Sequence, residues 1–595
     1  MTDSRPQALL RQDRPGLWLA FDRAEDVLEA AVPEQLPALL ERVSEALASG
    51  LHAVGFLAYE AAPAFDRSLV TLPPDPTLPV AWFGLFPPPR EVGEDELQPA
   101  GRHRLGDWTP SEDEKTYGRG IEAIHRAIAA GSVYQVNYTI RLVTALDGDP
   151  LGLFHELRRA QPAAFAAWLD LGTHCVCSVS PELFFELAEG RITTRPMKGT
   201  ARRGRTTAED REIAVRLAAS PKDRAENLMI VDMARNDLGR IAHHGSVGVE
   251  RLFEVERYDS LFQMTSTVTA RTEADFTAAL AALFPAASIT GAPKSSATRL
   301  IAELEGTPRG VYTGTIGHVR PCGRSRFGVA IRTVTIDRRS GRATYGTGGG
   351  IVWDSRADAE LHEARTKALV LRPQPAFELL ETLLWEPGRG YFLLDRHLDR
   401  LEDSAHYFGF ELVRDAAGSL LAARAASYPP SGALRVRLLV SRRGGCRLEE
   451  APVEAARPIR RVALAGHPVD SSDPFLFHKT TRRSVYRRSL ASAPSDVDDV
   501  LLWNERGELT ESTVANLVLR TGGRLITPER SAGLLAGTFR AELLESGRLE
   551  EATLVPADLE TAEQILLVNS VRRWMPVELV VPPTKPDGPP ARSRV

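Results

Sequence analysis

A single lysine, Lys198, lies between Pro196 and Gly199 at the end of a strand-like segment. Proline restricts its own φ angle, and glycine lets the chain turn sharply or lets another backbone approach closely. The lysine amine is therefore displayed on a constrained backbone, as a reactive amine would need to be. A solvated lysine at a strand end is the ordinary interpretation of such a sequence, and residues further along the chain decide between the two.

Two carboxylates and a second lysine are spaced for one face of a helix. Glu360, Glu363 and Lys367 fall at positions i, i+3 and i+7. Such a stripe is usually a solvated row of salt bridges, but together with Glu226 the carboxylates could hold Mg²⁺, which prefers oxygen ligands. We expect Glu226 in the first turn of a helix from about residue 224, where the helix N-terminus also stabilises a carboxylate without any metal.

Two other stretches could bind anionic groups. A predicted strand over residues 326–336 places Arg332 on the same face as a glycine and an alanine, which leaves space for a bidentate grip on a carboxylate. An edge strand with Arg332 in water is the alternative. The glycine-rich run 346–350 precedes a predicted helix with Ser355 as its N-cap, and such runs can present backbone N–H groups to an anion.

The elements that position these residues form more than one domain. The chain has 595 residues, and single hydrophobic cores stop growing near roughly 250–300 residues. Spaced prolines within residues 371–375 predict a linker between domains at 1–370 and 376–580, and the proline-rich residues 581–595 predict a disordered tail. We predict helices over 112–130, 208–219, 224–236, 294–305 and 397–409, and an alternating strand over 132–137.

Composition narrows the class of protein. The chain is 43% hydrophobic and 25% charged, as is typical of a soluble globular protein, and its net charge of −5 argues against nucleic acid as a partner. No secretory signal and no apolar run of membrane-spanning length is visible. The cysteines form neither a disulfide framework nor a zinc motif, Cys175 and Cys177 are expected to be buried on one strand face, and a reducing cytoplasm is the expected location.

Up to about residue 370 the chain resembles the chorismate-utilising enzymes, the family of anthranilate synthase and aminodeoxychorismate synthase component I. The resemblance rests on blocks that occur in the family's order: Tyr134 to Asn137, Ser180 to Glu182, Pro196 to Thr200, Lys222 to Asp237, Ile289 to Lys294, Arg309 to Gly314, Ala330 to Thr333 and Gly348 to Lys367. It implies an α+β domain built around two large sheets.

Two positions discriminate within this family. Members similar to isochorismate or salicylate synthases carry a lysine at the position of Gln135 and use it to activate water. Anthranilate synthases carry alanine at the position of Lys198, whereas aminodeoxychorismate synthases carry lysine. The resemblance therefore implies that Lys198 is the covalent nucleophile at C2 of chorismate, with Glu182 as the general acid for the C4 hydroxyl that leaves.

The resemblance also implies binding roles. Mg²⁺ would be bound by Glu226, Glu360 and Glu363. The substrate would be bound by Gln135, Thr200, Tyr312, Arg332, Gly348, Gly349, Gly350 and Lys367. The chain departs from many relatives at Gln263, where they carry histidine, and at Ala287, where some carry glycine.

Residues 376–580 resemble a second family, the class IV pyridoxal-phosphate enzymes, which include D-amino acid aminotransferase and aminodeoxychorismate lyase. The matching blocks are His397 to Leu401, His478 to Thr480, Glu511 to Leu517, Leu525 to Pro528 and Gly533 to Arg540. The resemblance implies that Lys479 is the Schiff-base lysine and that Arg400 and Thr538, with neighbouring amides, bind the cofactor phosphate. It also implies that Glu511 pairs with the pyridine nitrogen.

The residues of this half also have interpretations that involve no cofactor. Lys479 could be a loop lysine without a function, and Glu511 could cap a helix with Asn516. The arginines at 482, 483, 487 and 488 are expected to lie mostly on a solvated helix face, with one reaching a substrate carboxylate. Asn569 and Ser570 fall where the family closes its pocket.

Together the two resemblances imply a bifunctional enzyme of 4-aminobenzoate synthesis for folate. The first domain would aminate chorismate to aminodeoxychorismate with Mg²⁺ and ammonia, and the second would eliminate pyruvate with pyridoxal phosphate. No amidotransferase motif surrounds any cysteine, so a separate glutaminase subunit is the expected partner. A homodimer through the second domain stays open. The alternatives are an anthranilate-type synthase, a C-terminal aminotransferase and a non-catalytic C-terminal module.

Overall fold

The computed structural model describes residues 7–12, 16–97, 101–259, 261–372, 376–453 and 460–580. The chain divides into two compact units. The first unit holds Met1–Arg203 and Ala214–Gln374, and the second holds Gly204–Ile213 and Pro375–Val595. Residues 373–375 of the predicted linker and the whole predicted tail lie outside the described residues. Among the described residues, no helix is both long and apolar enough to cross a membrane.

The helices predicted over 112–130, 208–219, 224–236 and 294–305 are present, each starting and ending within three residues of its prediction, whereas the helices Leu36–Ala48, Pro150–Ala160 and Phe276–Leu283 were not predicted. The helices up to residue 372 are α1 (Leu36–Ala48), α2 (Glu114–Ala129), α3 (Pro150–Ala160), α4 (Thr207–Ala219), α5 (Pro221–Gly239), α6 (Phe276–Leu283), α7 (Lys294–Leu304) and α8 (Ala357–Lys367). Short 3-10 helices cover Pro33–Gln35, Tyr59–Ala64, Glu94–Glu96, Ala287–Ile289 and Ala368–Leu371. α2 shows why the pattern worked: Asp113 caps it by accepting from the Thr116 N–H, and Gly131, with φ 71°, follows its end.

The strands of the same stretch, in chain order, are β1 (Ala8–Arg11), β2 (Leu17–Phe21), β3 (Asp26–Ala30), β4 (His52–Leu57), β5 (Ala81–Phe86), β6 (Arg90–Gly93), β7 (His103–Leu105), β8 (Thr109–Pro110), β9 (Gln135–Gly148), β10 (Phe165–Asp170) and β11 (His174–Ser180). They continue with β12 (Leu183–Ala188), β13 (Arg191–Arg195), β14 (Met197–Arg202), β15 (Gly248–Arg257), β16 (Leu261–Arg271), β17 (Gly291–Ala292), β18 (Thr315–Val319), β19 (Ser325–Val329), β20 (Thr333–Asp337) and β21 (Arg342–Ile351).

The first unit contains the two large sheets that the family resemblance implies. One has the order β17-β9-β21-β20-β11-β10-β1-β2-β6, with β7 and β8 added to β9. The other has the order β14-β16-β13-β12-β19-β18-β4-β5-β3, with β15 added to β16. One core cluster joins Phe21 and Val176 of the first sheet to Phe56 and Phe327 of the second, so the two sheets pack face to face.

The other face of the first sheet is covered as well. Cys175 and Cys177 alternate with Val176 on β11 and pack in a second cluster with Phe154 of α3. Both thiols are buried and free, as the alternating pattern predicted. Because the sheet is covered on both faces, the strand predicted over 132–137 is wrong in its pattern. β9 begins at Gln135, and its first seven residues are all buried instead of alternating.

The second unit combines a small sheet with a larger one. Its strands are β22 (Leu379–Glu386), β23 (Gly390–Tyr391), β24 (Leu434–Val440), β25 (Cys446–Pro452), β26 (Arg461–Leu464), β27 (Asp499–Trp503), β28 (Leu509–Ser512), β29 (Asn516–Thr521), β30 (Arg524–Pro528), β31 (Glu550–Ala552), β32 (Gln564–Asn569) and β33 (Arg573–Leu579). The small sheet has the order β23-β22-β24-β25 and the larger one β28-β27-β26-β33-β32-β29-β30-β31.

The helices of this unit flank the two sheets. They are α9 (Leu394–Phe408), α10 (Arg414–Ala425), α11 (Ser484–Ala491), α12 (Thr538–Glu545) and α13 (Asp558–Thr561), with 3-10 helices at Pro474–Leu476 and Arg530–Ala532. α9 confirms the helix predicted over 397–409, and Gly409, with φ 69°, ends it. Its Leu398 and Leu401 pack on Leu383 of β22 and Val436 of β24 in the core of the small sheet.

Candidate active sites

Lys198 is the second residue of β14 in the second sheet. Pro196 separates β13 from β14, and Gly199 has φ 100°, a conformation that favours glycine. The pairing of β14 with β16 shifts its register around Lys198. Asn227 donates from Nδ2 to the Lys198 carbonyl oxygen at 3.1 Å. The backbone around this lysine is thus constrained from both sides.

The surroundings of Lys198 favour its neutral amine. Burial lowers the pKa of Lys198, because a charge is costly away from water, while the Glu226 carboxylate acts in the opposite direction. A neutral amine is the form that can attack carbon. Burial thus shifts this amine towards the form that a nucleophile needs.

The absence of a side chain at Gly350 leaves space for the side-chain ends of Lys198 and Gln135. A Cβ atom added to Gly350 would lie 2.1 Å from Lys198 Nζ and 2.2 Å from Gln135 Nε2, so any side chain here would displace both groups. Gln135 is fully buried, and neither end of its amide has a hydrogen-bond partner among the described residues. A buried amide without partners indicates a place where a ligand or water supplies the missing bonds.

Glu182 is held by a residue that no sequence motif indicated. Ser288, in the 3-10 helix Ala287–Ile289, donates from Oγ to Glu182 Oε1 at 2.5 Å. Burial raises the pKa of Glu182 to about 7, and the Ser288 hydrogen bond opposes part of that rise. A carboxyl group with a pKa near neutrality can donate and accept a proton under ordinary conditions.

Arg332 does not lie on a strand, so the strand predicted over 326–336 is wrong. That stretch forms β19 in one sheet and β20 in the other, and Arg332, with φ 51°, lies in the crossover between them. A chain that leaves one sheet for another does not keep a single alternation. The guanidinium is buried, and its Nη1 has no partner among the described residues. It therefore fits a bound anion better than the solvated edge position.

The acidic stripe on α8 faces the strand backbone instead of solvent. A Cβ atom at Gly349 would lie 2.9 Å from Glu360 Oε2 and 3.9 Å from Glu363 Oε1. Lys367 pairs with Glu363 at 2.7 Å and donates to the Gly348 carbonyl oxygen at 2.9 Å. The shared face predicted from spacing is present, and β21 lies against it.

The start of α8 and the glycine-rich run differ from expectation. Residues 346–350 belong to β21 and pair with β9, so the run is a strand and not a loop before a helix. Arg356, not Ser355, is the N-cap residue of α8. Ser355 instead donates from Oγ to Glu360 Oε1 at 2.7 Å. Its polar group thus orients a carboxylate of the site.

Glu226 is one turn further into its helix than we expected. α5 begins at Pro221, with Ser220 as N-cap, so Asp223 occupies the first turn and Glu226 the second. Proline is well tolerated at this first position because its missing N–H would be unpaired there anyway. Helix-dipole compensation at the first turn therefore falls to Asp223.

The three acidic residues fit Mg²⁺ in part. Glu226, Glu360 and Glu363 line one cavity, and burial raises the pKa of Glu226 and of Glu360. Carboxylate oxygens are suitable ligands. Among the described residues, however, no group of three or more His, Cys, Asp or Glu side chains is arranged to hold a metal ion. The residues suit a Mg²⁺ that one or two carboxylates share with oxygens of the substrate and water.

The cavity of the first unit has a volume of about 340 Å³. Of the residues predicted from sequence, it is lined by Glu182, Lys198, Thr200, Glu226, Tyr312, Arg332, Gly348, Gly350, Glu360, Glu363 and Lys367. Gln263 also lines it and donates to Thr200 Oγ1 at 3.0 Å. One cavity thus holds an amine, a carboxyl group with a pKa of about 7 and a buried guanidinium. Together they can bind an anionic substrate, form a covalent bond and transfer a proton.

In the second unit, Lys479 is tied to the first strand of the small sheet. The Leu380 N–H donates to the Lys479 carbonyl oxygen at 3.0 Å. Burial and the nearby Arg400 lower the pKa of Lys479 to about 8, although Glu381 and Glu511 act in the opposite direction. An amine with this pKa is partly neutral near pH 8 and can attack a carbonyl carbon, which favours the reactive interpretation over a functionless loop lysine.

A buried glutamate connects two expected phosphate ligands. Arg400 donates to Glu381 from Nε at 2.8 Å and from Nη2 at 2.7 Å. His397 donates from Nδ1 to the same carboxylate at 2.6 Å, which leaves its Nε2 to accept from the Thr538 hydroxyl at 3.2 Å. Burial would raise the pKa of Glu381, but Arg400 and His397 lower it to about 2. The carboxylate therefore orients both groups.

Glu511 is a strand residue, so its interpretation as a helix cap is wrong. It lies on β28, and its Oε1 accepts from the Tyr486 hydroxyl at 2.8 Å and from the Leu535 N–H at 3.2 Å. Asn516 donates from Nδ2 to Oε2 at 3.2 Å. Burial raises the pKa of Glu511 to about 7, and the Tyr486 hydrogen bond opposes that rise.

The N-terminus of α12 has the features of a phosphate cradle. Gly537 is its N-cap residue, and a Cβ atom there would lie 2.1 Å from Asn516 Oδ1. The unpaired N–H groups of a first helical turn attract an anion. Together with Lys479, whose pKa is lowered to about 8, and the buried carboxyl group of Glu511, this arrangement fits pyridoxal phosphate.

These residues share a cavity of about 510 Å³. It is lined by the predicted residues Arg400, Lys479, Glu511, Gly537, Thr538, Asn569 and Ser570. Of the four arginines after Lys479, Arg483 lines it, while Arg487 and Arg488 are exposed. Tyr486, Thr382, Arg435 and Arg437 line it too, and sequence analysis did not find them.

Family models match both units. The model described as chorismate binding enzyme matches residues 6–373. The chain belongs to the chorismate binding enzyme family. The model described as amino-transferase class IV matches residues 378–580, so a domain of that class follows the chorismate-binding domain.

Individual relatives match parts of this chain. Aminodeoxychorismate synthase of Streptomyces griseus is 43% identical over 280 residues, which are 47% of this chain and 38% of that protein. Aminodeoxychorismate synthase component 1 of Klebsiella aerogenes is 43% identical over 262 residues, 44% of this chain and 58% of that protein. The chain thus covers less than two thirds of either relative.

A solved structure supports the fold of the first unit. Anthranilate synthase component I from Streptococcus pneumoniae TIGR4 is similar with a TM-score of 0.50 and 25% identity, covering 62% of this chain and 91% of that one. The α+β architecture with two large sheets and a following class IV domain is therefore confirmed.

Proposed function

We propose that this protein makes 4-aminobenzoate from chorismate and ammonia in two steps, one in each unit. The observation that carries the proposal is the position of Lys198, whose amine meets Gln135 around Gly350 beside a cavity lined by Glu182. An amine nucleophile and a proton donor at one cavity match the amination of chorismate. A lysine in place of Gln135 would instead match attack on the ring by an activated water molecule.

In the first step, Glu182 would donate its proton to the C4 hydroxyl, which leaves as water. Lys198 attacks C2 with its neutral amine, the ring double bonds shift, and the C4–O bond breaks. Ammonia then adds at C4, the double bonds shift back, and the lysine is expelled, so that one difficult substitution becomes two easier ones. The pKa of Glu182, about 7, lets it serve as the acid near neutral pH.

The charged groups of the cavity would hold the substrate for this step. Arg332, buried with an unpartnered Nη1, would bind a carboxylate. Thr200, Tyr312, Lys367 and the backbone at 348–350 would line the rest of the bound ring. Mg²⁺ held by one or two of the carboxylates of Glu226, Glu360 and Glu363 would neutralise a second carboxylate.

In the second step, the residues around Lys479 would remove a proton and release pyruvate. Pyridoxal phosphate, held by Lys479 with Arg400, Thr538 and Glu511, would supply an electron sink. The Lys479 amine would take the proton from C4 of aminodeoxychorismate. Loss of pyruvate from C3 then leaves an aromatic ring, which makes the elimination favourable.

Partners and location follow from the same proposal. Ammonia would come from a separate glutaminase subunit, as the name "component 1" of one relative suggests by analogy. Folate synthesis in the cytoplasm and a homodimer through the class IV domain belong to the proposal as well.

One reaction tests both steps. The pure full chain is incubated with chorismate, ammonium, Mg²⁺ and pyridoxal phosphate, and the products are separated by chromatography. We expect 4-aminobenzoate and pyruvate from the wild type, no amination by K198A, and accumulation of aminodeoxychorismate by K479A. Anthranilate from the wild type would overturn the proposal for the first unit. Aminodeoxychorismate left unchanged by the wild type would overturn it for the second.

A further inference from the structure

The cavity of the second unit carries more positive charge than a cofactor phosphate requires. Its cationic lining residues are Arg400, Arg435, Arg437, Lys479, Arg483 and Arg572, and its acidic ones are Asp498, Asp499 and Glu511. Arg400 and Lys479 have expected cofactor roles. Arg435 and Arg437 lie on β24 and have none. These two additional cations indicate that the cavity binds a second anion besides the cofactor phosphate.

The strand register places these two arginines at increasing distances from Leu380, the residue of β22 that is bonded to Lys479. The Leu380 N–H binds the Lys479 carbonyl oxygen, and Leu380 and Thr382 both line the cavity from β22. Thr382 is two residues after Leu380 on β22, and Arg437 of β24 lies directly across from it. At about 3.3 Å per residue, Arg437 lies ~7 Å and Arg435 ~13 Å along the sheet from the backbone of Leu380.

The three acids of the cavity have other partners. Asp498 accepts from the Arg460 N–H at 2.9 Å and from the Arg461 N–H at 3.1 Å. Asp499 accepts from the Thr513 hydroxyl at 2.6 Å, and Glu511 accepts from Tyr486. Arg437 pairs with Glu449, its neighbour on β25, at 2.7 Å. Arg435 faces Ala451 on that strand. Glu449 acts on it only at longer range, and the described residues show no direct ion pair to it. Arg435 is therefore available to an anionic ligand, and Arg437 is partly compensated.

We propose that Arg435, assisted by Arg437, binds a carboxylate of the substrate that is remote from the reacting amine. The site would then select amines with a carboxylate across a ring from the nitrogen, which a flexible amino acid with one carboxylate does not match. The identity of that substrate rests on the proposed function, because aminodeoxychorismate carries one carboxylate on its ring and another on its enolpyruvyl group. An arginine fork suits such a planar anion.

The test compares two small probes that need no turnover. Benzoate, which carries a carboxylate on its ring, and benzamide, its uncharged counterpart, are titrated into the full-length protein loaded with pyridoxal phosphate, and the change in cofactor absorbance gives each Kd. We expect the wild type to bind benzoate about tenfold or more tightly than benzamide, as hydrogen bonds to a charged group allow. R435M should lose that preference, R437M should lose less, and R435K should keep part of it.

Controls separate this proposal from its neighbours. R488M removes an exposed arginine of α11 and should leave both Kd values unchanged. The KM of R435M for aminodeoxychorismate should rise about tenfold with little change in kcat. A wild type that prefers neither probe, or an R435M protein that keeps the wild-type preference, overturns the inference. If the wild type forms no 4-aminobenzoate but R435M still loses the preference, the proposed function fails and the carboxylate site stands.

Discussion

The hydroxyl group of Ser288 donates a 2.5 Å hydrogen bond to Oε1 of Glu182, and both side chains are buried. Burial alone raises the pKa of this carboxyl group, because its charged form is costly away from water. The serine stabilises the charged form and opposes part of that rise. The balance leaves the pKa of Glu182 at about 7, where the group can act as an acid.

Replacing Ser288 should therefore shift the pH profile in a defined direction. In S288A the carboxylate loses a hydrogen bond, so the pKa of Glu182 rises and the acid stays protonated to higher pH. We expect the basic limb of kcat/KM for chorismate amination to move up by about one pH unit. S296A, a serine on α7 outside the cavity lining, serves as the control. A limb that moves down would contradict the assignment of Glu182 as the acid.

The sequence predicted the elements with strong local signals. Asp113 and Gly131 mark the two ends of α2, and the proline and glycine around Lys198 indicate its constrained backbone. Prediction was wrong where long-range topology decides. Arg332 lies where the chain crosses between sheets, and nothing local in residues 326–336 marks a change of sheet.

The same limit applies to the candidate sites. Lys198 and Lys479 lie in recognisable motifs, whereas Ser288 and Glu381 act through partners more than fifteen positions away in sequence. Arg435 is one of several arginines in its stretch of the sequence, and no motif surrounds it. Only the register of β22 and β24 shows that it shares a cavity with Lys479.

Glu305 should contribute strongly to the stability of the first unit. Its buried carboxylate pairs with Arg309 at 2.7 Å and Arg141 at 3.0 Å. Arg309 in turn donates to the carbonyl oxygens of Asn137 and Ile289, which line the cavity. E305Q leaves two buried arginines without a charged partner, so we expect a loss of about 3–5 kcal/mol in the free energy of unfolding. Urea unfolding measures this loss. The control is E303Q, at an exposed position near the end of α7, which should change the free energy of unfolding little.

Tyr486 should set the ionisation of Glu511. Y486F removes a hydrogen bond to the charged carboxylate, so the pKa of Glu511 rises above about 7. Less of the carboxylate is then available to pair with a protonated pyridine nitrogen at pH 7. We expect the pH midpoint for pyridoxal phosphate binding to move up and the affinity at pH 7 to fall several-fold. Fluorescence titrations across pH measure this, with Y428F as the control; an unchanged midpoint would mean that Tyr486 does not act on Glu511.

Glu381 should make the second unit sensitive to acid. Its pKa in the folded protein is about 2, below an ordinary value of 4.5, because Arg400 and His397 outweigh the effect of burial. A depressed carboxylate pKa stabilises the fold above pH 4.5, and that stabilisation is lost as the pH falls toward 2. The difference corresponds to about 3 kcal/mol.

The comparison of wild type with E381Q isolates this effect. E381Q leaves Arg400 and His397 without a charged acceptor and turns one accepting oxygen into a donor, so it should be less stable than the wild type at pH 6 by about 3 kcal/mol or more. The gap should narrow as the pH falls from 4.5 toward 2, since the wild-type carboxylate becomes protonated over that range. Urea unfolding at several pH values measures the gap, with E378Q, a glutamate whose partner Arg447 is largely exposed, as the control. A stability difference that stays constant from pH 6 to pH 2 would show that the charge of Glu381 does not stabilise its contacts with Arg400 and His397.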